Sequence, residues 1–196
     1  MPDQLSLFET PQPAPNRYRL FLAIFPNAEA IDSVRTYQAS LSEELGLMGK
    51  PRPPSILHVT LHHIDDYPEI PERVVASIKE ACASALAGRP SFEVTFDHVK
   101  SFQGRPGNFP FVLVNPNGNE ALMALHQPLI TELVKRRLAK RGDFQFVPHV
   151  TMLYDKRLVP QKEVAPVTWK AKEVVLILSH LGATKYERLG CWDLND

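Results

Sequence analysis

The sequence predicts a mixed domain, α+β or α/β, assembled from two equivalent half-units, and three observations predict it. Apolar strand-like runs alternate with helix-length amphipathic segments. The order strand, helix, strand occurs twice, and each copy ends in His-Val-Thr. Hydrophobic residues make up 44% of the 196 positions, enough for a sizeable core.

Residues 1–16 carry four prolines and no periodic pattern, which predicts a flexible tail ahead of one domain over 17–196. Tyr18 to Phe25 (YRLFLAIF) is a short continuous apolar run, as in a central strand. Asn27 to Leu45 reads as an amphipathic helix, with Ala30, Ile31, Val34, Leu41 and Leu45 near helical spacing. Pro51–Pro54 ends it, Ile56 to Ile64 is the second strand, and Pro71 to Ala87 a second helix with proline in its first turn. Alternation from Phe92 to Val99 predicts a strand, then the loop SFQGRPGNFP, a strand at Phe111–Val114 and a turn at Asn115–Gly118. A helix from Asn119 to Lys140 and a strand from Phe144 to Tyr154 follow, then strands at Val164–Trp169, Lys172–Leu181 and Tyr186–Leu194. Phe21 precedes His58 by 37 residues and Phe111 precedes His149 by 38, so the half-units match in length as well as order.

Charge and cysteine content narrow the function. Lys+Arg and Asp+Glu both number 22, a formal net charge of zero, which argues against a protein that coats long nucleic acid and leaves room for one phosphate site. The basic run KRRLAKR at 135–141 reads as a solvated helix end. Two separated cysteines, Cys82 and Cys191, fit neither a disulfide framework nor a thiolate zinc site and read as buried, reduced thiols. With no signal-peptide pattern and no membrane-length apolar run, the expected setting is cytoplasmic.

Strand side chains alternate in direction. His58 and Thr60 therefore share one face and Leu57, Val59 and Leu61 the other; His149 and Thr151 oppose Val150 and Met152 in the same way. Brought together, the strands line a cleft with two imidazoles and two hydroxyls. One neutral imidazole can take a proton from an attacking hydroxyl while the other, protonated, supplies the leaving alkoxide. The threonines can donate to the non-bridging phosphate oxygens, so the chemistry calls for no cofactor and no metal. By the same alternation His62 shares the face of His58 and flanks the cleft, whereas His63 faces away. His58 and His62 lie about 13 Å apart on a strand, too far to chelate one ion. Tyr154 falls on the face of Val150 and Met152, where core packing competes with stacking on a base. Arg105, in the Gly-rich GRPGN loop, is a phosphate or base contact or a solvated loop arginine. His98, His126 and His180 have no motif context and read as structural or exposed.

HVTL at 58–61 and PHVTML at 148–153 resemble the paired His-x-Thr motifs of the two-histidine phosphoesterase superfamily, in its branch of 2′-5′ RNA ligases and RNA 2′,3′-cyclic phosphodiesterases. RLFLAIFP at 19–26, FQGRPGNFPFV at 102–112 and YERLGCWDL at 186–194 resemble further segments of that branch, so the likeness spans about residues 17–194. The resemblance implies an α+β fold: two pseudo-symmetric lobes with antiparallel sheets facing a central cleft and helices outside. It implies opening of 2′,3′-cyclic phosphates of RNA ends or nucleotides to 2′-phosphates, with the related 2′-5′ ligation. By position it gives His58 and His149 the acid–base roles and Thr60 and Thr151 the phosphate contacts. Arg105, Tyr154 and His62 are further candidates for substrate binding.

Two other classes compete. A binder of RNA or nucleotides would keep the cleft without turnover. An accessory protein would act through Gln4, Leu5, Leu7 and Phe8, because QLSLF resembles the pentapeptide by which bacterial proteins dock on the replication sliding clamp.

Overall fold

Asn27 starts the first helix by accepting the Ala30 N–H on its side-chain oxygen at 2.9 Å, and Gly46, at φ 63°, ends it in the left-handed conformation. In the computed structural model, which describes Pro15 and residues 17–195, this helix is α1 (Ala28–Leu45). It lies between β1 (Tyr18–Ile24) and β2 (Val59–Tyr67), which pair antiparallel. The remaining order is α2 (Glu72–Leu86), β3 (Phe92–Ser101), β4 (Phe109–Val114), α3 (Glu120–Lys135), β5 (His149–Asp155), β6 (Lys162–Ala171), β7 (Glu173–His180) and β8 (Lys185–Asp193). The tail motif Gln4–Phe8 lies outside the described residues.

All eight strands of the described residues form one antiparallel sheet in the order β6-β3-β4-β5-β2-β1-β7-β8. It divides at its centre into two four-stranded halves, because β2 and β5 share the single register pair Val59↔Val150. About that pair the halves correspond strand for strand: β2 with β5, β1 with β4, β7 with β3, and β8 with β6. These halves are the two lobes. The repeat is therefore real in space, with one adjustment. Leu22 pairs with His62 and Phe111 with Leu153, so Leu22 rather than Phe21 is the counterpart of Phe111. Phe21 points to the opposite face.

The helices cover one side of the sheet. α1 packs over β5 and β6, α2 against α3 and β8, and α3 on β3, enclosing a core that runs through both halves and includes Leu22, Val59, Leu61, Phe111, Val150 and Met152. A small apolar group of Phe21, Ala23, Val175 and Ile177 lies apart from it, packed with Phe25 and Tyr186. Pro166 sits in β6, an edge strand, where its missing N–H breaks no ladder.

Most expected elements shift by a residue or two at an end, and the larger differences fall on α3 and the two His-Val-Thr strands. α3 stops at Lys135 instead of Lys140: Arg137 takes φ 59° and the Leu138 N–H returns to the Leu133 carbonyl, closing the helix. Both His-Val-Thr strands begin later than expected, since the chain forms 3-10 turns at Pro54–Ile56 and Arg141–Phe144 just ahead of them. Cys82 is buried as expected, but Cys191 is exposed, because β8 is an edge strand.

Gly49 ties the segment after α1 to the end of β5. A Cβ there would sit 2.0 Å from the Tyr154 carbonyl oxygen, and the Gly49 and Met48 N–H groups both donate to Asp155 Oδ2, at 2.7 and 2.6 Å. Gly49→Ala is expected to cost about 1–3 kcal/mol in urea unfolding, as overpacking against fixed backbone does. Gly142→Ala, with open space around the added carbon, should stay within about 0.5 kcal/mol. Equal effects would show that the close approach is unimportant.

Candidate functional site

An antiparallel register with Val59 opposite Val150 sets His58 against Thr151 and Thr60 against His149 across the central seam. All four side chains line one cavity of about 500 Å³, together with Arg19, Phe21, Arg52, His63, Tyr154, Ser179, His180 and Tyr186 among others. Both valines are fully buried beneath.

The two histidines are held alike. Nδ1–H of His58 donates to the Ile56 carbonyl at 2.8 Å, and Nδ1–H of His149 to the Val147 carbonyl at 2.8 Å. Each imidazole so fixed carries its lone pair on Nε2 when neutral and a donor there when protonated. The Thr60 hydroxyl lies 3.0 Å from His58 Nε2 and donates to it. Around His58 stand Phe21, Phe25 and Tyr186, with ring centroids at 4.9, 5.9 and 5.7 Å. Burial among these rings pushes its pKa down to about 4, assisted by the charges of Arg52 and His149 and opposed by the Ile56 carbonyl. His149, whose ring meets the edge of Phe102 at 4.9 Å, is also lowered, again by burial and against its carbonyl partner. Without a ligand, both are neutral at pH 7.

Two arginines reach the cavity, in different electrostatic states. Arg19 makes a bidentate pair with Asp66, both contacts at 2.7 Å, and that hydrogen bonding holds the carboxyl down at about 2. Arg52 has no carboxylate within salt-bridge distance among the described residues. Its Nη2 reaches the Tyr186 hydroxyl at 3.4 Å and its guanidinium lies 6.0 Å from the centre of the Tyr154 ring. The Arg52 backbone is anchored: its N–H donates to the Met152 carbonyl at 2.8 Å, and Gln38 Nε2 donates to the carbonyls of both Arg52 and Met152. Among the described residues that line the cavity, Arg52 is therefore the arginine whose charge no carboxylate offsets, and the one best placed to meet an anionic ligand.

Strict alternation misplaces three candidates. In β2 the pairing slips between Thr60 and His62, so Leu61 and His62 both turn inward and His63 turns to the cleft. His62 is 9% exposed, with its Nε2 3.4 Å from the Leu138 carbonyl; it stands beside the main cavity and not on the face of His58, while His63, expected to face away, lines the cavity. The same slip occurs in β5 between Thr151 and Leu153; it buries Met152 and Leu153 together and turns Tyr154 to the cleft, 41% exposed, instead of into the core. His63 and Tyr154 are thus counterparts in the two lobes. Arg105 sits in the exposed turn bridging to Asn108 and does not line the cavity, so the structure does not bring it to the site.

Arg52, His63, Tyr186 and His180 were missed as cleft residues. Aligning HVTLHH with HVTMLY would have paired His63 with Tyr154 from sequence alone. His180, read as structural or exposed, lines the cavity and hydrogen-bonds Glu187 at 2.7 Å. Among the described residues, one group of His, Cys, Asp and Glu brings its ligand atoms within 4.8 Å, namely Glu173, Cys191 and Asp193. Glu173 begins β7, and the cleft residues Ser179 and His180 end it.

Solved structures share this fold. E. coli LigT in complex with 3′-AMP is 22% identical, with a TM-score of 0.73 over 92% of this chain and 99% of that one. TT0787 of Thermus thermophilus is 22% identical, with a TM-score of 0.72 over 90% and 97%. A crystal structure described as a phosphoesterase is 23% identical, with a TM-score of 0.67 over 93% and 100%. Among curated proteins, none matches the sequence. The sequence profile of the 2′-5′ RNA ligase superfamily matches residues 25–188, most of the chain and both His-Val-Thr strands, and the protein belongs to that superfamily.

Proposed function

We propose that the protein is a metal-independent phosphodiesterase that opens 2′,3′-cyclic phosphates of RNA ends or nucleotides to 2′-phosphates, and that it catalyses 2′-5′ ligation through the same displacement. The observation that carries this reading is the seam itself: two imidazoles with matched Nδ1 anchors and two threonine hydroxyls around one cavity. The 3′-AMP complex of LigT, a protein of the same fold, supports a nucleotide as ligand. Two free thiols support a cytoplasmic setting.

In hydrolysis, one histidine's Nε2 takes a proton from water as its oxygen bonds to phosphorus. The P–O3′ bond breaks, and O3′ takes a proton from Nε2–H of the other histidine. Thr60 and Thr151 donate to the non-bridging oxygens, and Arg52 offsets the charge that grows on them. Both carriers are neutral in the free enzyme at pH 7, so the acid is the scarce form.

The pH profile tests this. The kcat/KM profile, which reports the free enzyme, should be a bell. With both imidazoles lowered by burial, one limb falls near the value of about 4 at His58, and both limbs lie below 6.5. Activity falls with rising pH as the acid loses its proton and with falling pH as the base gains one. In kcat, bound phosphate favours the imidazolium and moves the alkaline limb upward. A kcat/KM that stays flat through pH 8 would contradict the histidine pair.

A further inference from the structure

A second chamber of about 420 Å³ adjoins the main cavity, and the two share Thr60, His63 and His149 in their walls. Its other walls come from β2, the loop after β3, α3 and the turn before β5: His62, Phe102, His126, Asp143, Gln145 and Phe146. The size falls in the range of about 300–1,000 Å³ typical of small-ligand sites. The chamber meets the catalytic seam at His149, whereas His58 does not line it.

Its chemistry differs from that of the main cavity. Among the described residues no lysine or arginine lines it, so its walls do not favour a phosphate. Phe146 lies flat on His126, with centroids 4.1 Å apart and planes at 15°, so one wall is already a stack of two rings that a third planar ring can extend. Phe102 supplies a further aromatic wall beside His149. Burial lowers the pKa values of both His62 and His126, to about 4 for His126, so these imidazoles stand as neutral hydrogen-bonding groups. Asp143 adds an acceptor and Gln145 both a donor and an acceptor.

We infer that this chamber is the subsite for a second nucleoside, the one whose 5′-oxygen joins or leaves the phosphate at His149. The inference rests on the phosphodiester reading of the seam, ligation included, and gives the acceptor nucleoside a place in the fold. In the joining direction, O5′ of the nucleoside seated in the chamber bonds to phosphorus and gives its proton to Nε2 of His149. The P–O3′ bond of the cyclic phosphate breaks, and O3′ takes the proton carried by Nε2 of His58. The product is a 2′-5′ linkage, and cleavage is the reverse.

The test is calorimetric binding to full-length His58→Ala protein, which keeps the chamber wall intact. The ligands are a 2′-5′-linked adenosine dinucleotide and adenosine 2′-monophosphate, and the second comparison is the same protein carrying Phe146→Ala or, on the exposed side, Gln145→Ala. Loss of a base-stacking ring should weaken the dinucleotide about 10-fold and the mononucleotide less than about 2-fold. Gln145→Ala should act in the same direction, about 3-fold, and keeps the test open if Phe146→Ala does not fold. Equal weakening of both ligands, or no change in either, overturns the subsite, as does failure of the dinucleotide to bind. Selective weakening with no wild-type turnover of cyclic phosphates keeps the subsite and removes the catalytic reading; turnover without selective weakening does the reverse.

Discussion

His58→Ala and His149→Ala should each lower kcat by about 10²–10⁴-fold, the usual contribution of a positioned acid or base. The double variant should fall little further than the worse single one, because the two proton transfers serve one displacement and the histidines act as a unit. The matched anchoring underlies this symmetry: each Nδ1 is held by a carbonyl two residues upstream, and each Nε2 is directed away from that anchor, His58 Nε2 meeting the Thr60 hydroxyl. His58 lies just ahead of β2 and His149 begins β5, and Val59 and Val150 beside them are locked in the core, so alanine at either position should leave the fold in place. Unchanged melting temperature with lost turnover is the expected pair of readouts. A single variant retaining more than about a tenth of wild-type kcat would remove that histidine from the mechanism.

Arg52→Ala should reduce kcat by about 10²–10³-fold, the scale seen when one preorganised charge-stabilising donor is removed. Arg19 is a poor substitute, because Asp66 takes its Nε–Nη2 edge and offsets its charge. Arg52→Lys should recover part of the loss, since a point charge replaces a planar fork whose other contacts are Tyr186 and Tyr154. A rise in KM alone, with kcat intact, would mean that Arg52 binds ground state and transition state equally. The backbone of Arg52 is fixed through Gln38 and Met152, so the side-chain change should leave the loop where it is.

The parts of this site that were legible in the sequence are those set by local patterning. The capped helix after Asn27, the buried valines of both motifs and the polar His/Thr faces follow from periodicity within a few residues. The lobe pairing followed from the repeat. What alternation could not supply is the extra residue in each motif strand, at Leu61–His62 and at Met152–Leu153. Each slip reverses the side chains that follow it, which sent His62 inward and brought His63 and Tyr154 to the cleft; in β2 a second slip follows between His63 and Asp65. Arg52 was hidden for a different reason. It lies in a proline-rich loop with no pattern of its own, and contacts with Met152 and Gln38, remote in the chain, decide where it points. The choice of Arg105 followed a glycine-rich loop that instead closes on itself at Asn108.

The most direct test of the central claim is incubation of the folded protein with a 2′,3′-cyclic nucleotide in EDTA, with the product identified by phosphorus NMR. The predicted result is turnover that gives only the 2′-phosphate. No turnover of nucleotide or oligonucleotide substrates, turnover only after a divalent metal is restored, or release of the 3′-phosphate would contradict it.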